Sequence, residues 1–113
     1  MLKKSNRIGR NKDFDRAFKL GQSFYDKILG LKVAENDLPI SRLGILVSTK
    51  VSKRAVDRNL IKRQIRAIIK NEWPNLKDGK DLVIITLPLI LDKNFEEIQK
   101  TIQKACKKLN LYK

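Results

Sequence analysis

One segment near the middle of the chain constrains the fold most, because its apolar residues recur with the period of a helix. Between Lys53 and Asn71, the apolar residues are spaced to fall on one helical face. They are Val56, Leu60, Ile61, Ile65, Ile68 and Ile69. Pro74 follows in the stretch Trp-Pro-Asn and ends the pattern, because proline cannot continue a helix. We therefore predict a helix that packs its isoleucine face on a core.

The polar side of this helix carries a regular series of positive charges. A basic residue occupies every fourth position: Arg54, Arg58, Lys62, Arg66 and Lys70. Positions four apart drift slowly around a helix, so these residues form a slanting band, and Asn59 falls within it. Asp57 is the only acid between Lys50 and Lys70, whereas a helix charged for solubility alone usually mixes signs. The band therefore suits a polyanion such as a phosphate backbone.

The first half of the chain shows one helical pattern followed by strand patterns. Residues 11–21 predict a short helix, with Asn11 at its start and Gly21 at its end. Residues 24–33 and 41–48 are typical of strands, and the turn-like stretch Glu-Asn-Asp-Leu-Pro-Ile separates them. This half therefore supplies a helix and two or three strands.

The second half adds one strand and one helix after the basic helix. Residues 81–87 form a nearly continuous apolar run, which indicates a strand buried on both faces. The last helix begins with the pair Asn94 and Glu97, which has the spacing of a capping box. We expect it to bury one stripe of residues: Phe95, Ile98, Ile102, Cys106 and Leu109.

The composition indicates one strongly basic domain. With 113 residues, 42% of them hydrophobic, the chain suits a single domain over residues 1–113. The 26 Lys and Arg against 12 Asp and Glu give a net charge of +14. Residues 1–20 hold seven basic and two acidic residues, and residues 50–70 hold eight and one, so these segments carry +12 of the +14. Such concentration favours nucleic-acid binding, with an anionic membrane as the alternative partner.

Several classes of site are excluded by what the sequence lacks. A single cysteine, Cys106, and no histidine exclude a disulfide framework and the usual zinc sites, and leave no histidine base. Asp13 and Asp15 could attract magnesium, but their position at a helix start explains both through the helix dipole. We expect no catalytic residue and no metal held by the chain. The first 20 residues have no signal-peptide apolar region, and we expect a cytoplasmic protein.

The stretch "AVDRNLIKRQIR", residues 55–66, resembles the signature of the bacterial ribonuclease P protein family. The shared pattern is alanine, two variable positions, Arg-Asn, two further positions, Lys-Arg and a final arginine. The similarity continues in "RNKDFDRAFKLGQSF", which resembles the family's opening helix, and in "RLGILVSTK" and "DLVIIT", which resemble the strands before and after the signature. It covers most of the chain from Arg7 to Leu109.

The resemblance implies a fold and a role for the chain. The fold is an α+β, two-layer α–β sandwich in the order helix, three strands, helix, strand, helix, with a left-handed crossover at the signature helix. The role is that of the protein subunit of ribonuclease P, whose RNA subunit cleaves the 5′ leader from precursor tRNA. The implied partners are the catalytic RNA and precursor tRNA, with no membrane and no protein partner required. Mg²⁺ is expected in the holoenzyme, and no activity is expected from the chain alone.

The resemblance also implies two sets of binding residues. Those expected to contact the RNA subunit are Lys50, Arg54, Arg58, Asn59, Lys62, Arg63 and Arg66. Phe14 and Phe18 are expected to line a cleft for the single-stranded leader, where bases stack on aromatic rings. Lys32 stands where the family often has an aromatic residue, so it is expected to contact phosphate there. Alternatively, Phe14 or Phe18 belongs to the core, as aromatic residues four apart on a helix often do.

The chain departs from the family pattern at two further places. Leu60 replaces the third residue of the usual Arg-Asn-Arg, and we expect it to pack on the apolar flank of the helix. The stretch Ser52-Lys53-Arg54 replaces a glycine that often precedes the signature. Two other classes stay open: a basic ribosomal protein, and a membrane-surface binder whose apolar helix face is accessible in the free protein.

Overall fold

The structure, a computed structural model, describes residues 4–9 and 11–113, and its main elements follow the predicted order. The helices are α1 (Asn11–Leu20), α2 (Ala55–Glu72) and α3 (Phe95–Lys108). The strands are β1 (Gln22–Tyr25), β2 (Leu29–Glu35), β3 (Arg42–Leu46) and β4 (Lys80–Thr86). Short 3₁₀ helices cover Lys4–Asn6, Trp73–Asn75 and Pro88–Asp92. The single stretch predicted at 24–33 contains parts of two strands, β1 and β2, which form a hairpin.

The four strands form one sheet in the order β1-β2-β4-β3. β2 runs antiparallel to β1 and β4, whereas β3 and β4 are parallel neighbours. α2 lies in the connection between those two parallel strands, so it is the crossover helix. The α+β class and the element order are confirmed, and the left-handedness of the crossover stays a prediction.

The two faces of the sheet are covered by different helices. Side chains alternate along a strand, so Leu82 and Ile84 of β4 point to one face and Val83 to the other. Leu82 and Ile84 join the main core with residues of α2 and α3, while Val83 clusters with Ile8 and with Ala17 of α1. The sheet and the pair α2 and α3 therefore form the sandwich, and α1 lies across the opposite face.

The buried side of α2 is narrower than its apolar pattern predicts. Its four isoleucines at positions 61, 65, 68 and 69 are buried, as expected. Val56 and Leu60 instead keep 68% and 46% of their surface exposed, because they lie on the side of the helix turned away from the sheet. The expectation that Leu60 packs on the apolar flank is therefore wrong.

The same burial contradicts the membrane-anchor alternative, which required an accessible isoleucine face. Within residues 4–9 and 11–113, no helix is long and apolar enough to cross a membrane.

The capping box predicted for α3 is present. The side chain of Asn94 accepts from the Glu97 amide at 2.9 Å, and the Glu97 carboxylate accepts from the Asn94 amide at 3.4 Å. The predicted stripe is buried at Ile98, Ile102 and Cys106. Phe95, the first helical residue, is exposed and Leu109 is half-buried, so the buried stripe is shorter at both ends than predicted.

A polar network joins α1 to the sheet. Arg42 donates from Nε and Nη2 to both carboxylate oxygens of the buried Asp81, at 2.9 and 2.7 Å. The same guanidinium donates from Nη1 to Asp13 of α1 at 3.4 Å. Asn36 also donates to Asp81, at 2.9 Å. Hydrogen bonding to Asp81 raises the pKa of Arg42. The contact of the same guanidinium with Asp13 joins the start of α1 to β3 and β4.

Candidate nucleic-acid interface

The basic band of α2 runs obliquely across the helix surface. Arg58, Lys62 and Arg66 are half-buried along the flank beside the isoleucines. Arg63 and Lys70 stand on the fully exposed side, as does Asn59. Because these three residues are half-buried, the aliphatic parts of their side chains pack against the protein and their charged groups stay near the surface. The helix therefore presents a broad basic surface with one edge against the body of the protein.

The start of α2 is held by hydrogen bonds from the preceding loop. Ser52 Oγ donates to the Asp57 carboxylate at 2.9 Å, and Arg58 Nη1 donates to the Ser52 carbonyl at 2.9 Å. Arg54 lies 3.9 Å from Asp57 but its side chain is largely exposed, and Lys50 is exposed as well. Arg58 is thus partly committed to the loop, while Arg54 and Lys50 extend the basic surface toward the carboxyl end of β3.

Phe14 and Phe18, predicted to act together, have different environments. Phe14 is half-buried and lies on Gly44 of β3, where a Cβ atom would come within 2.4 Å of its ring. Phe18 is 37% exposed, and the Lys32 Nζ atom lies 5.6 Å from its ring centroid. The core alternative therefore applies in part to Phe14, whereas Phe18 and Lys32 form an accessible aromatic and cationic pair.

A third aromatic residue joins that pair and was missed by the sequence analysis. Tyr25 of β1 is 49% exposed, and its ring centroid lies 5.9 Å from the same Lys32 Nζ atom. A signal was available, because glycine inside a strand often marks close approach by a neighbour. Gly30 is paired with Tyr25 across the hairpin, and the tyrosine ring lies directly on it.

The basic band meets one of the aromatic side chains, Phe14, at a cavity. Its volume is about 150 Å³, and its apolar wall includes Ile8, Leu43 and Ile45. Phe14 of α1 lines it together with Lys62 and Arg66 of α2. The structure therefore brings one member of the predicted aromatic set, Phe14, together with two members of the predicted basic set, Lys62 and Arg66.

Comparison with known proteins shows the family to which the chain belongs. The family model described as Ribonuclease P matches residues 2–110. The chain belongs to the ribonuclease P protein family. Among curated ribonuclease P protein components, one from Clostridium botulinum is 37% identical over 110 residues, covering 96% of this chain and 98% of the relative. One from Pseudanabaena is 37% identical over 99 residues, covering 87% and 85%.

Solved ribonuclease P proteins also share the fold. The protein from Staphylococcus aureus superposes with a TM-score of 0.89 at 32% identity, covering 97% of this chain and all of that one. The protein from Thermotoga maritima superposes with a TM-score of 0.78 at 26% identity, covering 87% and 92%. The family and the arrangement of helices and strands are thus established together.

Asp13 and Cys106, which the sequence analysis considered for magnesium binding and for chemistry, have structural surroundings in this chain. In the part of the chain that the structure describes, no three acidic, cysteine or histidine side chains are grouped to hold a metal. Asp13 instead pairs with Arg42. Burial, together with the nearby Glu72, raises the pKa of the Cys106 thiol to about 12, so the thiol stays protonated and is a poor nucleophile at neutral pH.

Proposed function

We propose that this chain is the protein subunit of a ribonuclease P ribonucleoprotein, in which it binds the catalytic RNA and the 5′ leader of precursor tRNA. The observation that supports this most is the shared cavity, where Lys62 and Arg66 of the basic helix lie beside Phe14 of α1. A surface that is basic at one end and aromatic at the other suits an RNA that passes from a structured region into a single strand.

The basic surface is the proposed contact with the RNA subunit. Its residues are Lys50, Arg54, Arg58, Asn59, Lys62, Arg63 and Arg66. Phosphate contacts release condensed counterions, so binding should weaken with salt by a log–log slope of about −0.7 per contact on single strands and about −0.9 on B-form duplex. Leu60 stands where the family pattern usually has an arginine, and it is exposed among these residues. The surface therefore has one positive charge fewer than that pattern, and it offers the RNA an apolar side chain at this position instead.

The aromatic side of the surface is the proposed contact with the leader. Phe18 offers an accessible ring, and Lys32 beside it offers a cation for the phosphate of the same strand. Phe14 lines the cavity, close to the basic helix. Unpaired bases can stack on such rings without sequence preference, which suits leaders of varied sequence.

The chemistry of cleavage is assigned to the RNA subunit in this proposal. Mg²⁺ supplies the charge stabilisation of phosphodiester cleavage when it is bound in the holoenzyme. The described side chains of this chain form no group of three acidic, cysteine or histidine residues that could hold it. The chain acts in this role as a single RNA-binding domain over residues 1–113, in the cytoplasm, with no membrane or protein partner required.

The test is cleavage of a precursor tRNA by a bacterial ribonuclease P RNA at low Mg²⁺, with and without this chain. We expect the wild-type chain to restore cleavage at the mature 5′ end. The double variant Arg58→Ala/Lys62→Ala should fail to restore it at the same protein concentration. The variant Lys107→Ala/Lys108→Ala removes the same charge from the end of α3 and should behave as the wild type.

Salt-sensitive RNA binding without any effect on cleavage would contradict the proposal and favour the ribosomal-protein alternative. Equal loss in both double variants would show that net charge, and not the α2 surface, is responsible.

A further inference from the structure

Three side chains from three different elements converge on the α1 face of the sheet. Lys32 of β2 lies between the rings of Phe18 from α1 and Tyr25 from β1, with its Nζ atom 5.6 and 5.9 Å from their centroids. Both rings keep more than a third of their surface exposed. A cation flanked by two accessible rings is an arrangement that packing of the core does not require.

The position of Tyr25 depends on the glycine opposite it. Tyr25 and Gly30 are partners in the β1–β2 hairpin, and a Cβ atom at Gly30 would come within 2.3 Å of the tyrosine ring. The ring therefore lies against the backbone of β2, in space that any other residue at position 30 would fill. Lys32 lies over the ring, and 49% of the surface of Tyr25 stays exposed to solvent, which leaves room for a base to stack.

Next to Tyr25, the α1 face of the sheet presents a row of apolar residues. Gly30 pairs with Ile85 of β4, and Ile85 pairs with Leu46 of β3, so these residues share one row across the sheet. Ile85 and Leu46 are only half-buried. The row lies beyond Phe18 on the side away from the α1 anchor, which is at Asp13 and Arg42. The cleft beside α1 thus extends toward the β1 edge.

We propose that Tyr25 is a further leader-binding residue, whose ring stacks on the base of an unpaired nucleotide while Lys32 pairs with a phosphate of the same strand. The inference rests on the proposed function, in which the leader follows the cleft. Phe14 lies at the cavity beside the basic helix, Phe18 one helical turn along, and Tyr25 on the outer hairpin. Tyr25 therefore contacts nucleotides farther from the cleavage site than Phe14 does.

This order makes the contribution of Tyr25 dependent on leader length. The experiment measures equilibrium binding of the reconstituted holoenzyme to three ligands: precursor tRNA with a long leader, precursor tRNA with a one-nucleotide leader, and mature tRNA. Stacking on an aromatic ring corresponds to about 5-fold to 150-fold in affinity. Because Tyr25 is half-exposed, we expect Tyr25→Ala to weaken binding of the long leader by about 5-fold to 10-fold.

The short-leader and mature ligands should bind Tyr25→Ala as they bind the wild type. Tyr25→Phe keeps the ring and should bind the long leader within about twofold of the wild type, since stacking needs no hydroxyl. Gly30→Ala should reproduce the loss, because its methyl group displaces the ring. Lys27→Ala, in the exposed hairpin turn, is the control and should change none of the three affinities.

Two results would overturn the assignment. One is unchanged long-leader binding by Tyr25→Ala when Phe18→Ala loses it, which would leave the proposed function intact. The other is equal weakening of all three ligands by Tyr25→Ala while Tyr25→Phe binds as the wild type, which would show that the ring supports the fold and makes no contact specific to the leader. If Phe18→Ala and Tyr25→Ala both bind leader-bearing and mature tRNA with the wild-type ratio, the proposed function fails as well.

Discussion

The two faces of the sheet differ in how completely they are covered. Among the residues whose burial the structure describes, nineteen form one cluster on the face of α2 and α3, and four form the cluster on the α1 face. The first face is closed by apolar burial, whereas α1 combines a small apolar contact with the Asp13–Arg42–Asp81 network. Half-buried and exposed rings therefore remain on the α1 face. The face of α2 and α3, called the closed face below, carries the main core, whereas the α1 face leaves apolar and aromatic surface exposed.

The largest expected effect comes from the closed face. Ile65→Ala should lower the free energy of unfolding by about 3–5 kcal/mol, because Ile65 is fully buried and a cavity would remain. Leu60→Ala, one turn away on the exposed side of the same helix, should cost about 0.5 kcal/mol or less. Urea unfolding followed by circular dichroism measures both. Similar losses of stability for the two variants would contradict the difference in burial between the two sides of α2.

The second effect concerns the anchor of α1. Asp81→Asn removes the charge that both Arg42 nitrogens contact, and should cost about 1.5–3 kcal/mol, the range for hydrogen bonds to charged groups. The matched control is Asp78→Asn, at an exposed position three residues before it, which should change stability little.

Hydrogen exchange shows which helix the Asp81→Asn variant destabilises. In Asp81→Asn, the amides of α1 should exchange faster while those of α2 keep their protection. Equal acceleration in both helices would show that the network supports the whole fold and not α1 in particular.

A smaller effect is expected at the contact between α1 and β3. Gly44→Ala places a methyl group within 2.4 Å of the Phe14 ring, which must move, and should cost about 1–2 kcal/mol. Gly9→Ala is the control, because no atom lies within 4 Å of an added Cβ there. Thermal unfolding compares the two variants. A Gly44→Ala protein as stable as Gly9→Ala would mean that Phe14 is not held on β3.

The last prediction concerns the reactivity of the Cys106 thiol, which is buried in the core of the closed face. Burial raises the pKa of Cys106 from 9.0 to about 12, so a thiol reagent at pH 8 should label the folded chain far more slowly than the chain in urea. Because the folded-state pKa is the higher one, the contribution of the thiol to stability is complete below about pH 9 and is lost as the pH rises toward 12. Rapid labelling of the folded chain would show that the closed face opens readily.

The elements predicted well from sequence were those in which local chemistry and packing agree. The isoleucines of α2 recur at helical spacing and are buried, and Asn94 and Glu97 form the capping box that their spacing predicts. The run in β4 is buried on both faces, as an uninterrupted apolar strand indicates.

The features missed depend on contacts between distant segments. Helical periodicity does not say which face of a sheet a helix covers, so the placement of α1 was not predictable. Leu60 was placed on the apolar flank with Ile61, although one residue corresponds to about 100° of rotation around the helix and Leu60 lies on the exposed side. Tyr25 was missed because its exposure follows from Gly30 on the next strand.

The most direct test of the division between the two faces is an NMR titration of this chain with single-stranded RNA, observed through side-chain methyl groups. Ile85 and Ile84 are adjacent in β4 but point to opposite faces of the sheet. Ile85 lies in the half-buried row on the α1 face, and Ile84 lies in the main core. We predict that the methyl signals of Ile85 and Leu46 shift on addition of RNA while those of Ile84 and Ile98 do not. Shifts confined to Ile84 and Ile98, with Ile85 unchanged, would contradict the account.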